Sequence, residues 1–258
     1  MNPNLQEVCC LDIGNTSCQI VNFQGTESCK SQKIGTHEFI KEPSLLLPPS
    51  QKDIPVSYCS VVPKATKALQ KHILDFGFQA RQIGASQNLI PIAYPLPQEI
   101  GADRIANSIA TYKKFPLPAL VVDIGTATTF DVITDRGYEG GVILPGPQGL
   151  LDFLSSKTAL LPEVNYHTAK KPLRLIGKST QEAMLAGVSF GYNPMIEAIV
   201  SRLKEEITGK ATALPISLLK TGGNADLCKL SKFIYDPFLT HRGLYIAHQE
   251  LCTRKQEV

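Results

Sequence analysis

One short pattern occurs twice, far apart in the chain. Leu11-Asp12-Ile13-Gly14-Asn15-Thr16-Ser17-Cys18-Gln19-Ile20-Val21 returns in outline as Val122-Asp123-Ile124-Gly125-Thr126-Ala127-Thr128-Thr129-Phe130-Asp131-Val132. In each copy a short apolar run ends in Asp, a Gly permits a tight turn, and a β-rich stretch follows, which is the signal of a hairpin. Solenoid repeats recur every few tens of residues, so copies this widely separated point instead to a duplicated domain. Phe115-Pro116-Leu117-Pro118 is the candidate boundary, dividing the chain into 1–115 and 116–258.

The rest of the pattern alternates. Tyr58 to Val62 reads as a strand, Lys64 to Asp75 as a helix and Gln79 to Gly84 as a short strand, which is α/β order. Pro91, Pro95 and Pro97 interrupt it, and Gly101 to Lys114 resumes as a helix with Ile105, Ile109 and Tyr112 at helical spacing. In the second half Gly140 to Gly146 is a strand entering a turn, followed by a helix through Leu154. A long helix is expected from Ser179 to about Thr208, with Gly191 to Pro194 as the place where it could break. Ile216 to Lys220 reads as a strand, Thr221 to Asn224 as a turn, and the remainder as mostly helical.

Composition narrows the class. With 258 residues, 43% hydrophobic and 19% charged, the chain can bury a substantial core and lacks the signature of disorder. The formal charge is +3 and its basic residues form no run, so nucleic acid is not an expected partner. Met1 to Glu7 has neither a basic stretch nor an apolar run, and no segment reads as ~20 consecutive apolar residues, so a cytoplasmic protein without a membrane partner is expected. Cys9, Cys10, Cys18, Cys29, Cys59, Cys228 and Cys252 are odd in number and show no CxxC spacing, as reduced, mostly buried thiols would. His37, His72, His167, His241 and His248 are scattered and lack the paired spacing of a zinc site; they read as structural or surface residues.

A strand that ends in Asp and turns at Gly suits a phosphate for physical reasons. The Gly admits backbone N–H groups to the phosphate oxygens, Thr or Asn side chains add hydrogen bonds, and the Asp can hold Mg²⁺ or its water shell. One such turn is more simply an ordinary hairpin. Two of them can clamp a polyphosphate, and it is the duplication that favours this reading. Neither GxxxxGK[ST] nor a GxGxxG after a strand occurs. Thr221-Gly222-Gly223-Asn224 follows a strand, where small residues would let an adenosine approach the backbone; a plain strand-to-helix turn with Asn224 as N-cap is the alternative. Gly101-Ala102-Asp103-Arg104 opens a helix. Asp103 there offsets the helix dipole, yet a kinase acting on a hydroxyl also needs a carboxylate to orient it and accept its proton, and Arg104 can hold a carboxylate or phosphate by forked hydrogen bonds.

Taken together, Asp12-Ile13-Gly14-Asn15-Thr16, Gly101-Ala102-Asp103-Arg104, Asp123-Ile124-Gly125-Thr126-Ala127-Thr128-Thr129, Gly140 to Gly146 and Thr221-Gly222-Gly223 resemble type III pantothenate kinase in order and spacing along nearly the whole chain. Gly177-Lys178-Ser179-Thr180, Ala183 to Gly187, Asp236 to Thr240 and Gly243-Leu244 extend the likeness. The resemblance implies an α/β fold of duplicated actin-like, ribonuclease H-like subdomains, in the acetate kinase, sugar kinase, Hsp70 and actin superfamily. It also implies a homodimer, and transfer of the γ-phosphoryl of ATP to pantothenate with Mg²⁺ and a monovalent cation, potassium or ammonium. Carried over by position, Asp12, Ile13, Gly14, Asn15, Thr16, Ser17, Cys18 and Gln19 form the first phosphate loop, with Thr126, Gly222 and Gly223 also at the nucleotide. Asp103 is the proton acceptor. Tyr94, Gly101, Ala102, Asp103, Arg104 and Thr180 line the pantothenate pocket, and Asp123 binds the monovalent cation.

The chain departs from the family pattern in a shorter, proline-rich His37 to Pro49, in His241-Arg242 where Leu-Glu is common, and in a loosely fitting Gln19 to Phe23. These bear on the shape of the first half and on the dimer surface. Two other functions stay open: a non-catalytic accessory or regulatory protein of the same fold, and a kinase for another small hydroxy acid or a sugar. Loss of the carboxylates would mark the first, and Asp12, Asp103 and Asp123 are all present.

Overall fold

Both copies of the repeat fold as strand, turn and strand. In the computed structural model, which describes residues 7–25, 27–209, 215–227, 229–230 and 232–254, β1 (Glu7–Ile13) pairs antiparallel with β2 (Ser17–Gln24), and Asp12 lies opposite Gln19. β6 (Ala119–Ile124) and β7 (Ala127–Thr134) are likewise neighbours. The turns close in the same way, Gly14 N–H donating to Ser17 O at 3.0 Å and Gly125 N–H to Ala127 O at 2.9 Å. Cys228 and the N-terminal residues 1–6 lie outside the described residues, as does the side chain of Cys29.

The duplication extends to whole sheets. With β3 (Glu27–Gly35), β4 (Val56–Ser60) and β5 (Ala80–Gln82), the first sheet runs β3-β2-β1-β4-β5. β8 (Gly137–Pro145), β9 (Ser217–Thr221) and β10 (Ile234–Tyr235) complete a second, which read from its other edge runs β8-β7-β6-β9-β10. The orders correspond strand for strand: β1 is parallel to β4 as β6 is to β9, and the edge pairs β4–β5 and β9–β10 are parallel too. The fold is therefore α/β and actin-like.

Chain packing groups Met1–Phe115, Ile133–Gly140 and Phe238–Val258 as one compact unit and Pro116–Val132 with Gly141–Pro237 as another. A contiguous 116–258 block does not describe the second unit. The C-terminal α6 (Leu239–Arg254) belongs with the first, because Leu244, Tyr245 and Ala247 share a core with Val8, Cys10, Phe23, Ile105 and Ile109. α6 also lies so close to α3 (Ala102–Lys114) that a Cβ on Gly243 would overlap the Ala106 carbonyl. Thr240 Oγ1 donates to Asn107 Oδ1 at 2.8 Å and Ser57 Oγ to Leu244 O at 3.0 Å. β1 is apolar from Val8 to Leu11 because that stretch is buried on both faces: Val8 and Cys10 enter this core, while Cys9, Leu11 and, beyond Asp12, Ile13 enter a second one with Phe39, Leu47, Tyr58 and Leu69 of the same unit. Full burial of each such aliphatic side chain contributes about 1.5–3 kcal/mol.

Several sequence expectations are corrected. β3 and the short α1 (Thr36–Lys41) stand where no element is expected, whereas α2 (Pro63–Phe76) matches the expected helix to within one residue at each end. α4 is Pro147–Lys157, and α5 runs unbroken over Thr180–Thr208 with Pro194 inside it. Met184, Leu185, Val188, Tyr192, Ile196 and Val200 recur at helical spacing and pack against Leu120, Val122, Ile124 and Phe130, so burial of this stripe outweighs the hydrogen bond that Pro194 removes. By length and composition alone α5 is apolar enough to cross a membrane, but its apolar stripe faces this core. After Asn224 the chain forms a 3-10 turn at Ala225–Leu227 and β10 before α6, where helix was expected. Cys9, Cys10, Cys18 and Cys59 are free and buried, whereas Cys252 on α6 is partly exposed.

Candidate active site

Asp12 and Asp103 belong to the same unit, and Asp12 feels the charge of Asp103. Asp12 stands at the end of β1, where the pleat turns its side chain away from the cores that hold Leu11 and Ile13. Removal from water pushes its carboxyl up to about 7; the Asp103 carboxylate pushes the same way, while a hydrogen bond from Cys59 and the charge of Lys33 pull it down. The Cys59 thiol donates to Asp12 Oδ1 at 3.3 Å from the adjoining strand β4. Asp103 is also raised above the usual carboxylate range by desolvation, offset by the Arg104 backbone N–H, which donates to Oδ1 at 2.8 Å, and by the Arg104 guanidinium. The Gly at position 101 has a steric reason, since a Cβ there would lie 2.5 Å from Asp103 Oδ1.

Beside this pair is a wall that the sequence only partly revealed. The Arg104 guanidinium lies over the Tyr138 ring at 5.7 Å, and Tyr94 meets Tyr138 edge-on with centroids 6.1 Å apart. The proline-interrupted segment is fixed there by backbone pairing: Tyr138 N–H donates to Pro91 O at 3.1 Å and Ala93 N–H to Tyr138 O at 2.9 Å. Gly137, at φ +96°, has no room for a side chain against Pro91, and a Cβ on Gly140 would meet the Tyr94 ring at 3.5 Å. Tyr138 is the site residue that sequence reading missed. Its only local signal is an aromatic among the glycines of β8.

The first loop is held from outside the repeat. Thr36 Oγ1 donates to Gly14 O at 2.6 Å and Thr36 N–H to Thr16 O at 3.1 Å, and the Cys18 thiol points at Thr36 Oγ1. Asn15 and Thr16 are exposed, Gly14 and Ser17 are half-buried, and Gln19 offers its carbonyl to His241 Nε2 at 3.1 Å. Ile13 and Cys18, both expected at the nucleotide, turn their side chains into the core, so only their backbone is available to a ligand.

In the second unit, Asp123 ends β6 opposite Thr221 of β9, and the two turns that follow are joined. Asn224 N–H donates to Ile124 O at 2.8 Å and Asn224 Nδ2 to Gly125 O at 3.1 Å. Asn224 therefore ties one loop to the other instead of capping a helix. Gly222 adopts φ +95°, and a Cβ there would collide with the Ile124 backbone and the Asp123 carboxylate, so only glycine serves. Gly223 and the Thr126 side chain are exposed beside them. Thr180 also belongs to this unit, exposed in the first turn of α5, where Ser179 Oγ accepts from Glu182 N–H and Glu182 Oε2 from Lys178 N–H. The structure thus assembles Asp12, Tyr94, Gly101, Ala102, Asp103 and Arg104 on one unit and Asp123, Thr126, Thr180, Gly222 and Gly223 on the other. Among the described residues no group of three or more His, Cys, Asp or Glu could hold a metal by itself.

Residues 8–202 match the family model described as type III pantothenate kinase. A type III pantothenate kinase of Methylacidiphilum infernorum is 34% identical over 252 residues, 96% of this chain and 90% of that protein. One from Moorella thermoacetica is 40% identical over 200 residues, covering 75% of this chain and 76% of its own. Among solved structures, a Campylobacter jejuni protein described as of the Baf family of transcriptional activators aligns with TM-score 0.60 at 22% identity, covering 95% of this chain and 99% of its own. MreB5 of Spiroplasma citri bound to AMPPNP aligns with TM-score 0.56 at 11% identity, covering 98% of each chain. At these identities the structural likenesses speak for the fold alone.

Proposed function

This chain belongs to the type III pantothenate kinase family, and from that premise we propose how its residues carry out the reaction. The protein is an ATP-dependent kinase that phosphorylates pantothenate to 4′-phosphopantothenate, the first step towards coenzyme A. The observation that carries the assignment of roles is the desolvated pair Asp12 and Asp103, with Arg104 and two tyrosines beside it.

Asp103 orients the attacking hydroxyl of pantothenate. As the new O–P bond forms and the bond to ADP breaks, its carboxylate takes the hydroxyl proton. Arg104 pairs with the pantothenate carboxylate in forked fashion, Tyr94 supplies an apolar wall, and Gly101, Ala102 and Thr180 complete the pocket. The loop from Asp12 to Gln19 offers donors to the nucleotide's phosphates, and so do the joined turns carrying Thr126, Gly222 and Gly223 in their own unit. Backbone N–H groups at these turns give fixed donors to the phosphates without reorganisation.

A divalent cation fits Asp12. Two carboxylates pushed upward by desolvation, Asp12 also by the charge of Asp103, leave local negative charge that a hard cation with oxygen ligands would relieve. Mg²⁺ bound there would neutralise charge on the polyphosphate. Asp123 fits the monovalent cation in the same sense, because its carboxylate and the neighbouring carbonyls are hard oxygen donors.

A coupled ADP-release assay with ATP, Mg²⁺, potassium and a panel of hydroxy acids and sugars tests the reading. Pantothenate is expected to give the highest kcat/KM, and the rate is expected to drop when sodium replaces potassium. Turnover with another acceptor only would remove pantothenate as substrate, and equal rates in the two salts would remove the role of Asp123. A homodimer is the remaining part of the proposal. In the second unit Phe153, Leu160, Leu173 and Ile176 are exposed apolar side chains, 61%, 91%, 94% and 69% accessible, which supports a buried surface between copies. Light scattering is expected to give the mass of two chains, and a single-chain mass at assay concentration would refute it.

A further inference from the structure

Tyr192 is the one buried tyrosine of α5, and its hydroxyl is spent on the second phosphate loop. The ring is 5% exposed within the core of the second unit. Its hydroxyl hydrogen-bonds Thr128 Oγ1, which is itself fully buried, and approaches Pro145 O at 3.3 Å. Thr128 follows Thr126 by two residues, at the start of β7, and Pro145 immediately precedes Gly146. Gly146 N–H in turn donates to Thr126 O at 2.9 Å, and a side chain at Gly146 would overlap the carbonyls of Gly125 and Thr126. Loop, helix entrance and tyrosine therefore close a ring of contacts: Thr126 to Gly146, Pro145 to Tyr192, Tyr192 to Thr128.

A core position here needs only an apolar ring, and Phe would fill it. The hydroxyl adds a buried side-chain link to the Gly146 N–H to Thr126 O hydrogen bond between the same two backbone segments, and it does so at Thr128, which is buried, whereas the Thr126 side chain is exposed. We propose that Tyr192 is a positioning residue for the nucleotide: through Thr128 and Pro145 it fixes the Gly125–Thr128 backbone in the conformation that receives the phosphates. The inference rests on the proposal that this loop binds ATP. It separates nucleotide affinity, which depends on a preorganised loop, from pantothenate affinity, which depends chiefly on Arg104 and Tyr94.

The test is ATP binding by calorimetry on the purified chain, with Mg²⁺, alongside KM for both substrates. In Tyr192→Phe the Kd for ATP is expected to rise by roughly fivefold to fiftyfold, the effect of losing a buried hydrogen bond that preorganises a site. KM for pantothenate should change by less than about twofold, since that pocket keeps all its groups. Thr128→Val should weaken ATP binding to a similar degree, Thr128→Ser should lie closer to the wild type, and the double variant Tyr192→Phe with Thr128→Val should be little worse than either single one. Circular dichroism verifies that each variant is folded, and Thr128→Val gives the same reading should Tyr192→Phe not fold. Unchanged ATP affinity in folded Tyr192→Phe or Thr128→Val, or equal losses for both substrates, would overturn the inference while leaving the kinase assignment in place. Absence of ATP binding by the wild type would remove both.

Discussion

Asp103→Asn is expected to lower kcat by about 10³-fold while the protein stays folded, the range by which a positioned proton acceptor accelerates transfer. The exchange is nearly isosteric, and the Arg104 backbone N–H that donates to Asp103 Oδ1 at 2.8 Å can donate to the amide oxygen instead. What disappears is the ability to take the hydroxyl proton. Pantothenate should still bind, because Arg104 and Tyr94 are untouched, so KM should move far less than kcat. The wild-type profile carries a second sign of the same role. Desolvation raises Asp103 above the usual carboxylate range, and only its ionised form accepts a proton, so kcat/KM should fall as pH drops through that raised value. Near-normal turnover in folded Asp103→Asn would take Asp103 out of the mechanism.

Asp12→Asn should abolish most turnover and yet stabilise the fold above neutral pH. Burial and the Asp103 charge move the Asp12 carboxyl from 3.8 to about 7, so the folded chain holds this proton more tightly than the unfolded chain does. Between these values the folded state binds the additional proton, and stability falls as pH rises. The penalty is absent below about pH 4 and complete above about pH 7. Ionised, Asp12 therefore costs the fold on the order of 2–4 kcal/mol, and the amide removes that cost while still accepting from the Cys59 thiol. For a chain of this size the gain corresponds to a Tm roughly 5–10 °C higher at pH 8. Thermal melts at pH 4 and pH 8, without Mg²⁺ or nucleotide, measure the difference. An equal increment at both pH values, or none at pH 8, would mean that the carboxylate is not strained by its surroundings. Stability given up at a carboxylate that faces ligand charge is expected of a functional site.

Much of the site was written locally. The Asp-Ile-Gly turns, their duplication and the Gly-Ala-Asp-Arg helix start are short-range patterns, in which residue type dictates backbone conformation within a few positions. Hence both hairpins, the helix that carries Asp103 and the likeness to type III pantothenate kinase were legible. β3 was not, because Glu27–Gly35 is mostly polar and is held as an edge strand by β2. The long helix that could break at Gly191 to Pro194 runs through, since burial of a long apolar stripe outweighs a single proline.

What the sequence determined by itself was the chemistry on offer: which carboxylates, which arginine and which glycine-bearing turns the chain presents. Only the tertiary structure decided their neighbours. It set the Cys59 thiol on Asp12, Thr36 on the first loop, Tyr138 between Arg104 and Tyr94, Asn224 across to Gly125, and Tyr192 behind Thr128. It also assigned the C-terminal helix to the first unit. Each of these joins residues distant in the chain, so no local propensity encodes it. The shape of the close-packed cores within each unit selects such contacts, and a one-dimensional pattern carries that shape only through which positions are apolar.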